Sequence, residues 1–272
     1  MITGENLTPI VTKSFEGLAE TRTRELVQEL VRTLHDFSRR VHLTHDEWRN
    51  AIAFLHRVGA LSNEHRSEFT LLSDVLGLSS LLDLIGSPSR ATPGSVLGPF
   101  HTLGSPWSDN PADLVRDNPG EHVLLCGFVR TAGGAALPDA TLDFWQNADN
   151  GLYWQVDPGQ KTDNLRCRLR VGPDGRYSIK TIRPKPYCIP TDGPVWSDLV
   201  EPSGRSEWRP AHFHVIIEAP GYRTIVTEIF DKEDPYIHSD AVFGVREALI
   251  GEYLPGDNGC PTMRFDFSLV QA

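Results

Sequence analysis

Residues 209–217 read Arg-Pro-Ala-His-Phe-His-Val-Ile-Ile. Laid out as a strand, the segment alternates, with His212 and His214 on one face and Phe213 on the other. The segments outward from it are of the same kind. Stretches at 121–130, 140–147, 151–156, 166–171, 176–182, 212–219, 223–230 and 263–270 read as short strands between turn residues, and Pro173-Asp174-Gly175 closes a hairpin. Eight short strands with no helix between them predict an antiparallel β-sandwich.

Towards the N-terminus the composition changes. Residues 1–86 contain only Pro9, and the other 19 of the 20 prolines follow; glycine divides 5 against 18. Both residues interrupt helices, so the front is expected to be helical. Leu26, Val27, Leu30, Val31, Leu34, Phe37 and Val41 recur at three and four, one helical stripe between Arg24 and Val41. Thr44-His45-Asp46-Glu47 is a capping box that opens a second helix carrying Trp48, Ile52, Leu55 and Val58 and ending at Gly59. Two more helices are expected from about 64 to 76 and from 79 to 85, stopped by Gly77 and Gly86. Apolar stripes with little to pack on predict self-association into a homodimer through these helices.

The 272 residues carry a formal charge of −10, the wrong sign for binding nucleic acid or an anionic membrane. No run approaches 18 apolar residues, and MITGENLTPIVTKSFEGL has no basic segment leading into an apolar one, so a cytoplasmic protein is expected. Cys126, Cys167, Cys188 and Cys260 are widely spaced and read as ordinary thiols.

Two imidazoles on one strand face can chelate a metal. The pattern alone is weak, because ten histidines placed at random give about 0.4 such pairs. Scattered cysteines leave hard oxygen donors to complete a site. Glu218 shares the parity of His212 and His214, which permits a cupin-like Fe(II) or Zn site, although the glycines of that motif are missing. The other donors are phenolates: all six tyrosines follow residue 150, with Tyr153 in Asn-Gly-Leu-Tyr-Trp and Tyr187 in the proline-rich loop 184–190. A permanent phenolate needs a strongly charged cation such as ferric iron. A third reading is a non-enzymatic sandwich binding module whose His and Tyr residues are packing.

In order, LGPF (97–100), NGLYWQVDP (150–158), DGRYSIKTIRPKPYCIPTDGP (175–194), RPAHFH (209–214) and DPYIHSDAVFGV (234–245) resemble the intradiol ring-cleaving dioxygenases. TLHDFSRRV, LTHDEW and FTLLSDVLGLSSLLDLI are similar to that family's helical dimerisation domain, so the resemblance covers nearly the whole chain. LGPF, IPTDGP and SDAVFGV are most similar to the hydroxyquinol 1,2-dioxygenases rather than the catechol 1,2-dioxygenases, which stay the alternative. The resemblance implies a mixed α and β fold, with a helical dimerisation and linker domain over 1–100 followed by a β-sandwich catalytic domain over 101–272.

It also implies one Fe(III) per subunit, with Tyr153, Tyr187, His212 and His214 as ligands and Tyr187 and His212 axial. The implied chemistry is cleavage of a small aromatic diol or triol by O2, with displaced Tyr187 as base and Arg209 stabilising charge on the ring. Motif matching puts Leu97, Gly98, Pro99, Phe100, Ile189, Pro190 and Val242 at the substrate, and Asp83 against an extra ring hydroxyl. Relatives are reported to hold a lipid between their helical domains, a possible partner here. Four positions depart from the family pattern: Cys167 stands where glycine is expected, Trp154 and Gln155 alter the run after the first tyrosine, and Glu228 stands where relatives tend to hold Gln or another uncharged side chain.

Overall fold

The computed structural model describes residues 1–86, 91–256 and 259–272. The chain divides into two compact units, Met1–His56 and Arg57–Ala272. The first holds α1 (Leu7–Ser14), α2 (Thr21–Val41) and most of α3 (His45–Leu61). Helix α1, which periodicity did not reveal, lies along α2 through a Thr8 Oγ1–His35 Nδ1 contact of 2.9 Å and a Gln28 Nε2 donation to Thr12 O at 3.1 Å. The capping box forms as expected: Glu47 N donates to Thr44 Oγ1 at 3.3 Å, and Thr44 N donates back to Glu47 Oε2 at 2.8 Å. On α2, Leu26, Leu30, Leu34, Phe37 and Val41 are all exposed.

In the second unit, α4 (Glu68–Val75) starts four residues later than the periodicity suggests, because Ser67 Oγ caps it by accepting from Thr70 N. Helix α5 (Leu78–Gly86) follows. Among the described residues no single helix is long and apolar enough to cross a membrane.

Among the described residues thirteen strands follow: β1 (Ala112–Asp113), β2 (His122–Thr131), β3 (Thr141–Trp145), β4 (Arg166–Arg170), β5 (Arg176–Ile182), β6 (Tyr187–Cys188), β7 (Trp208–Arg209), β8 (His212–Glu218), β9 (Ile225–Asp231), β10 (Ile250–Gly251), β11 (Tyr253–Leu254), β12 (Thr262–Arg264) and β13 (Phe267–Leu269). One sheet runs β1-β5-β2-β12-β11, with β13 also on β2; the other runs β10-β9-β8-β3-β4. The long pairs β2–β5, β3–β4, β3–β8 and β8–β9 are antiparallel, while β1, β10, β12 and β13 join in parallel. Between the sheets lies the core, where Val123, Leu125, Val129, Tyr177 and Ile179 of one meet Leu142, Phe144, Phe213, Val215 and Ile217 of the other. Each strand contributes alternate residues, so burial of Phe213 turns His212 and His214 out of the core on the opposite face.

Two strand expectations change. Residues 151–156 form turns rather than a strand: Gly151 sits at φ +78°, a backbone conformation that side chains rarely adopt, and Val156 N donates to Tyr153 O at 3.1 Å. The 263–270 strand is two pieces, since the Phe265 carbonyl comes over Gly127 so closely that a Cβ there has no room. All four cysteines are free thiols.

Candidate active site and metal centre

Strand β8 supplies His212 and His214, both 2% exposed. The His212 Nδ1 lies 2.6 Å from Pro210 O, which fixes the proton on Nδ1 and leaves the Nε2 lone pair outward. That Nε2 is 3.1 Å from His214 Nε2. Burial, aided by Arg209, pushes the His212 pKa down to about 3, and burial drives His214 well below its ordinary value against the pull of Glu228. Both rings are therefore neutral and available as nitrogen ligands.

The two tyrosines arrive from irregular segments. Tyr153 sits in the turn after Gly151, whose missing Cβ faces Pro186 O and Tyr187, and Tyr187 sits on β6, paired with Arg209 of β7. Their ring centroids are 5.4 Å apart; Tyr153 is 6.2 Å from His214, and Tyr187 is 5.6 Å from His212. Phe100 stacks on Tyr153 at 4.9 Å, and Leu97 packs on the same group. Gly98, at φ +74°, brings its backbone against the His214 ring.

Burial raises the pKa of both phenols, Tyr153 well above its ordinary value with Tyr187 adding to the effect. For Tyr187 the raise is opposed by Arg209, by charge and by hydrogen bonding. His214 Nδ1 faces Glu228 Oε1 at 3.4 Å and His214 Nε2 faces His212, whereas among the described residues the buried Tyr153 hydroxyl has no hydrogen-bond partner. Buried polar atoms left so are uncommon. A partnerless buried phenol beside two neutral imidazoles whose Nε2 atoms face each other fits a multivalent cation, which draws on the lone pairs and offsets the cost of ionising the phenols.

Behind this group lies a buried charge cluster. Arg209, 1% exposed, donates Nη1 to Glu228 Oε1 at 2.7 Å and Nε to Asp240 Oδ1 at 2.9 Å. Its Nη1 is also 3.2 Å from His212 Nε2. Ser95 Oγ donates to Glu228 Oε2 at 2.6 Å. Val242 is buried and donates its N–H to Asp240 Oδ1 at 3.3 Å. Trp145 lies flat on His214, centroids 4.7 Å apart and planes 3° from parallel, because β3 and β8 place the two directly opposite.

Other expected residues sit nearby in the chain. Pro99 is buried and accepts Ser67 N at 3.1 Å; Ile189 is buried and donates to Glu207 O at 2.8 Å; Pro190 is half-buried.

One assignment is corrected. Glu218 does not complete a histidine site: it is exposed at the far end of β8 and ion-pairs with Arg168. The carboxylate beside the imidazoles is Glu228, which faces His214 across the β8–β9 ladder, and His212, His214 and Glu228 bring one ligand atom each to within 4.8 Å of one another. Asp83 lines a cavity of about 230 Å³ with Gly94, Arg223 and Val270, and it lies in the field of Glu228. There burial raises its pKa to about 6, with Arg246 opposing. A second α-helical carboxyl, Asp74 of α4, 1% exposed, lies in the field of Arg209, Glu228 and Asp240, and burial pushes it up to about 7 against a hydrogen bond from Ser79. Asp74, Ser95, Trp145 and Asp240 were not singled out by sequence; Asp240 and Asp74 lie inside quoted motifs, but no local pattern marks either.

Sequence comparison matches residues 97–271 to a family described as Dioxygenase and residues 20–94 to one described as Catechol dioxygenase N terminus. The chain belongs to the intradiol dioxygenases. It is 41% identical over 266 residues to a 6-chlorohydroxyquinol 1,2-dioxygenase of Cupriavidus pinatubonensis, covering 97% of this chain and 96% of the relative. It is 42% identical over 237 residues to a hydroxyquinol 1,2-dioxygenase of Rhizobium sp., covering 86% and 80%. Among solved structures, a hydroxyquinol 1,2-dioxygenase from Pseudomonas putida superposes with a TM-score of 0.83 at 38% identity over 99% of both chains. Intradiol dioxygenases use non-haem iron, and the donor set described above is compatible with it.

Proposed function

We propose that this intradiol dioxygenase cleaves hydroxyquinol (benzene-1,2,4-triol) with O2 at one Fe(III) per subunit held by Tyr153, Tyr187, His212 and His214. The observation that carries the reading is the convergence of these four side chains, among which the buried Tyr153 hydroxyl is left without a partner. When bound, ferric iron ionises the phenols and makes the ring of a diolate open to dioxygen.

The protein's own groups do the rest. Tyr187 Oη, the more readily ionised phenol because Arg209 lies beside it, takes a proton from the diol. Arg209, a permanent cation in a buried place, faces charge developing on the ring. Leu97, Gly98, Pro99, Phe100, Ile189, Pro190 and Val242 line the apolar side and keep water out. Cleavage between adjacent hydroxyl-bearing carbons, with both oxygen atoms retained, yields 3-hydroxy-cis,cis-muconate, a tautomer of maleylacetate. The division into a helical part to about residue 100 and a sandwich beyond it supports a homodimer through the exposed apolar row on α2, with room for a lipid chain there.

The reading is tested by colour. The purified protein carries about one iron per chain and absorbs visible light through phenolate-to-iron charge transfer, and removing the iron bleaches it. Stoichiometric iron without a visible band, or no iron taken up on reconstitution, overturns the ligand set.

For the third hydroxyl, we propose Asp74 ahead of Asp83 as the recognising carboxyl, both being raised by burial in the field of Glu228. With a pKa of about 7 it can accept or donate near neutrality. Asp74→Ala lowers the ratio of kcat/KM for hydroxyquinol over catechol about tenfold or more, and Asp83→Ala leaves it unchanged. Equal ratios in both variants reject the assignment and favour a catechol 1,2-dioxygenase.

A further inference from the structure

Charge around Arg209 is not balanced one to one. Its guanidinium meets two carboxylates, Glu228 at 2.7 and 3.1 Å and Asp240 at 2.9 and 3.2 Å, and all three side chains are at most 3% exposed. One cation against two anions leaves an excess negative charge. That excess is turned towards the imidazoles: Glu228 Oε1 is 3.4 Å from His212 Nε2 and 3.4 Å from His214 Nδ1. Ser95 Oγ, donating to Oε2 at 2.6 Å, holds the carboxylate in place.

Hydrogen bonding does not require a carboxylate at this position. The amide oxygen of a glutamine still accepts from Arg209 Nη1, losing the bond from Nη2, and Asp240 alone balances the guanidinium. What Glu228 adds is charge, in a place where burial makes charge costly. An expensive feature beside a metal site acts on that site.

We propose that Glu228 is a fixed counter-charge that holds the metal centre trivalent against reduction by an electron-rich triol. The inference rests on the ferric reading above. A third hydroxyl pushes electron density into the ring, so a triol surrenders an electron more readily than a diol. Transfer of one electron from ring to metal oxidises the ring by one electron, reduces ferric to ferrous iron and loses the turnover. A unit negative charge beside two ligands favours the higher metal charge by about tenfold or more.

Redox titration of the iron-loaded enzyme, followed at the visible band, tests this. In Glu228→Gln the preference for ferric over ferrous iron falls about tenfold or more, read as a rise in potential of about 59 mV or more for the one-electron couple. Glu228→Met, near-isosteric and neutral, gives the same rise and serves if the Gln protein does not fold. Glu228→Asp, which keeps the charge, stays near the parent value although its shape changes. Anaerobic addition of hydroxyquinol bleaches the neutral variants about tenfold faster than the parent, and catechol bleaches none of them comparably. A potential unchanged in the neutral variants, or shifted equally by Glu228→Asp, overturns the inference while leaving the ferric reading intact. Absence of a visible band in the parent protein sinks that reading instead.

Discussion

The iron-loaded Tyr187→Phe enzyme should lose about a hundredfold or more in kcat, and its visible band should shift, while Tyr177→Phe keeps both. Both tyrosines are buried, both have pKa values raised by burial, and they lie ten residues apart, so the contrast isolates what surrounds each hydroxyl. Tyr187 is in the field of Arg209 and 5.6 Å, ring to ring, from His212; losing its oxygen removes a proton acceptor and a metal donor together. The Tyr177 hydroxyl donates to the Phe265 carbonyl at 2.7 Å in the strand break above Gly127, remote from any charge in the Arg209 cluster. Its removal leaves a carbonyl unpaired, costing about 1–3 kcal/mol, which thermal melting reads as a lower Tm with the spectrum intact. Equal loss of activity and equal spectral change in the two variants would reject Tyr187 as a ligand.

This contrast also marks how far a sequence can be read. Signals that live within one element were legible: the three-and-four stripe of α2, the Thr44–Glu47 box, and the parity that separates His212 and His214 from Phe213. Tyr153 and Tyr187 were found only through resemblance to a family, because their meeting depends on a turn at Gly151 passing against Pro186, a contact between segments thirty-five residues apart. The same turn explains why 151–156 is not a strand despite its aromatic content. Glu218 and Glu228 make the point most directly. Same-strand parity favours Glu218, yet a strand's far end lies several residues away from the histidines, while the residue opposite on the neighbouring strand is in contact. Cross-strand register is fixed by the whole sheet and is invisible along one segment. Asp74 and Asp83 are both helical carboxyls in an apolar stretch, and only the folded structure shows that Asp74 feels Arg209, Glu228 and Asp240 while Asp83 feels Glu228 and Arg246.

Removing the cation at the centre of that cluster should have the largest effect on stability. In Arg209→Leu, Glu228 and Asp240 face each other without compensation, and the buried position gives water little access. Breaking a buried pair from one side costs about 3–5 kcal/mol, and here one substitution strips two carboxylates. The pH dependence identifies the cause. In the parent protein, burial on its own raises the Asp240 pKa, but Arg209 more than offsets it and holds the value below 3.8. A carboxylate depressed in the folded state contributes stability that is present above its unfolded pKa and is lost as pH falls through the folded value, so the parent loses this contribution only in strong acid. In the variant, burial and mutual repulsion raise both carboxyls above their unfolded values. The sign reverses, and the folded state takes up protons and gains stability relative to the parent as pH falls from about 8 to about 5. Tm measured across that range should show the gap between the two proteins narrowing towards acid. Arg209→Lys should fall between them, since a single ammonium cannot reproduce four hydrogen bonds to two carboxylates. A gap that stays constant with pH would mean that Arg209 acts through its packing volume, and the charge argument for both Arg209 and Glu228 would fail together.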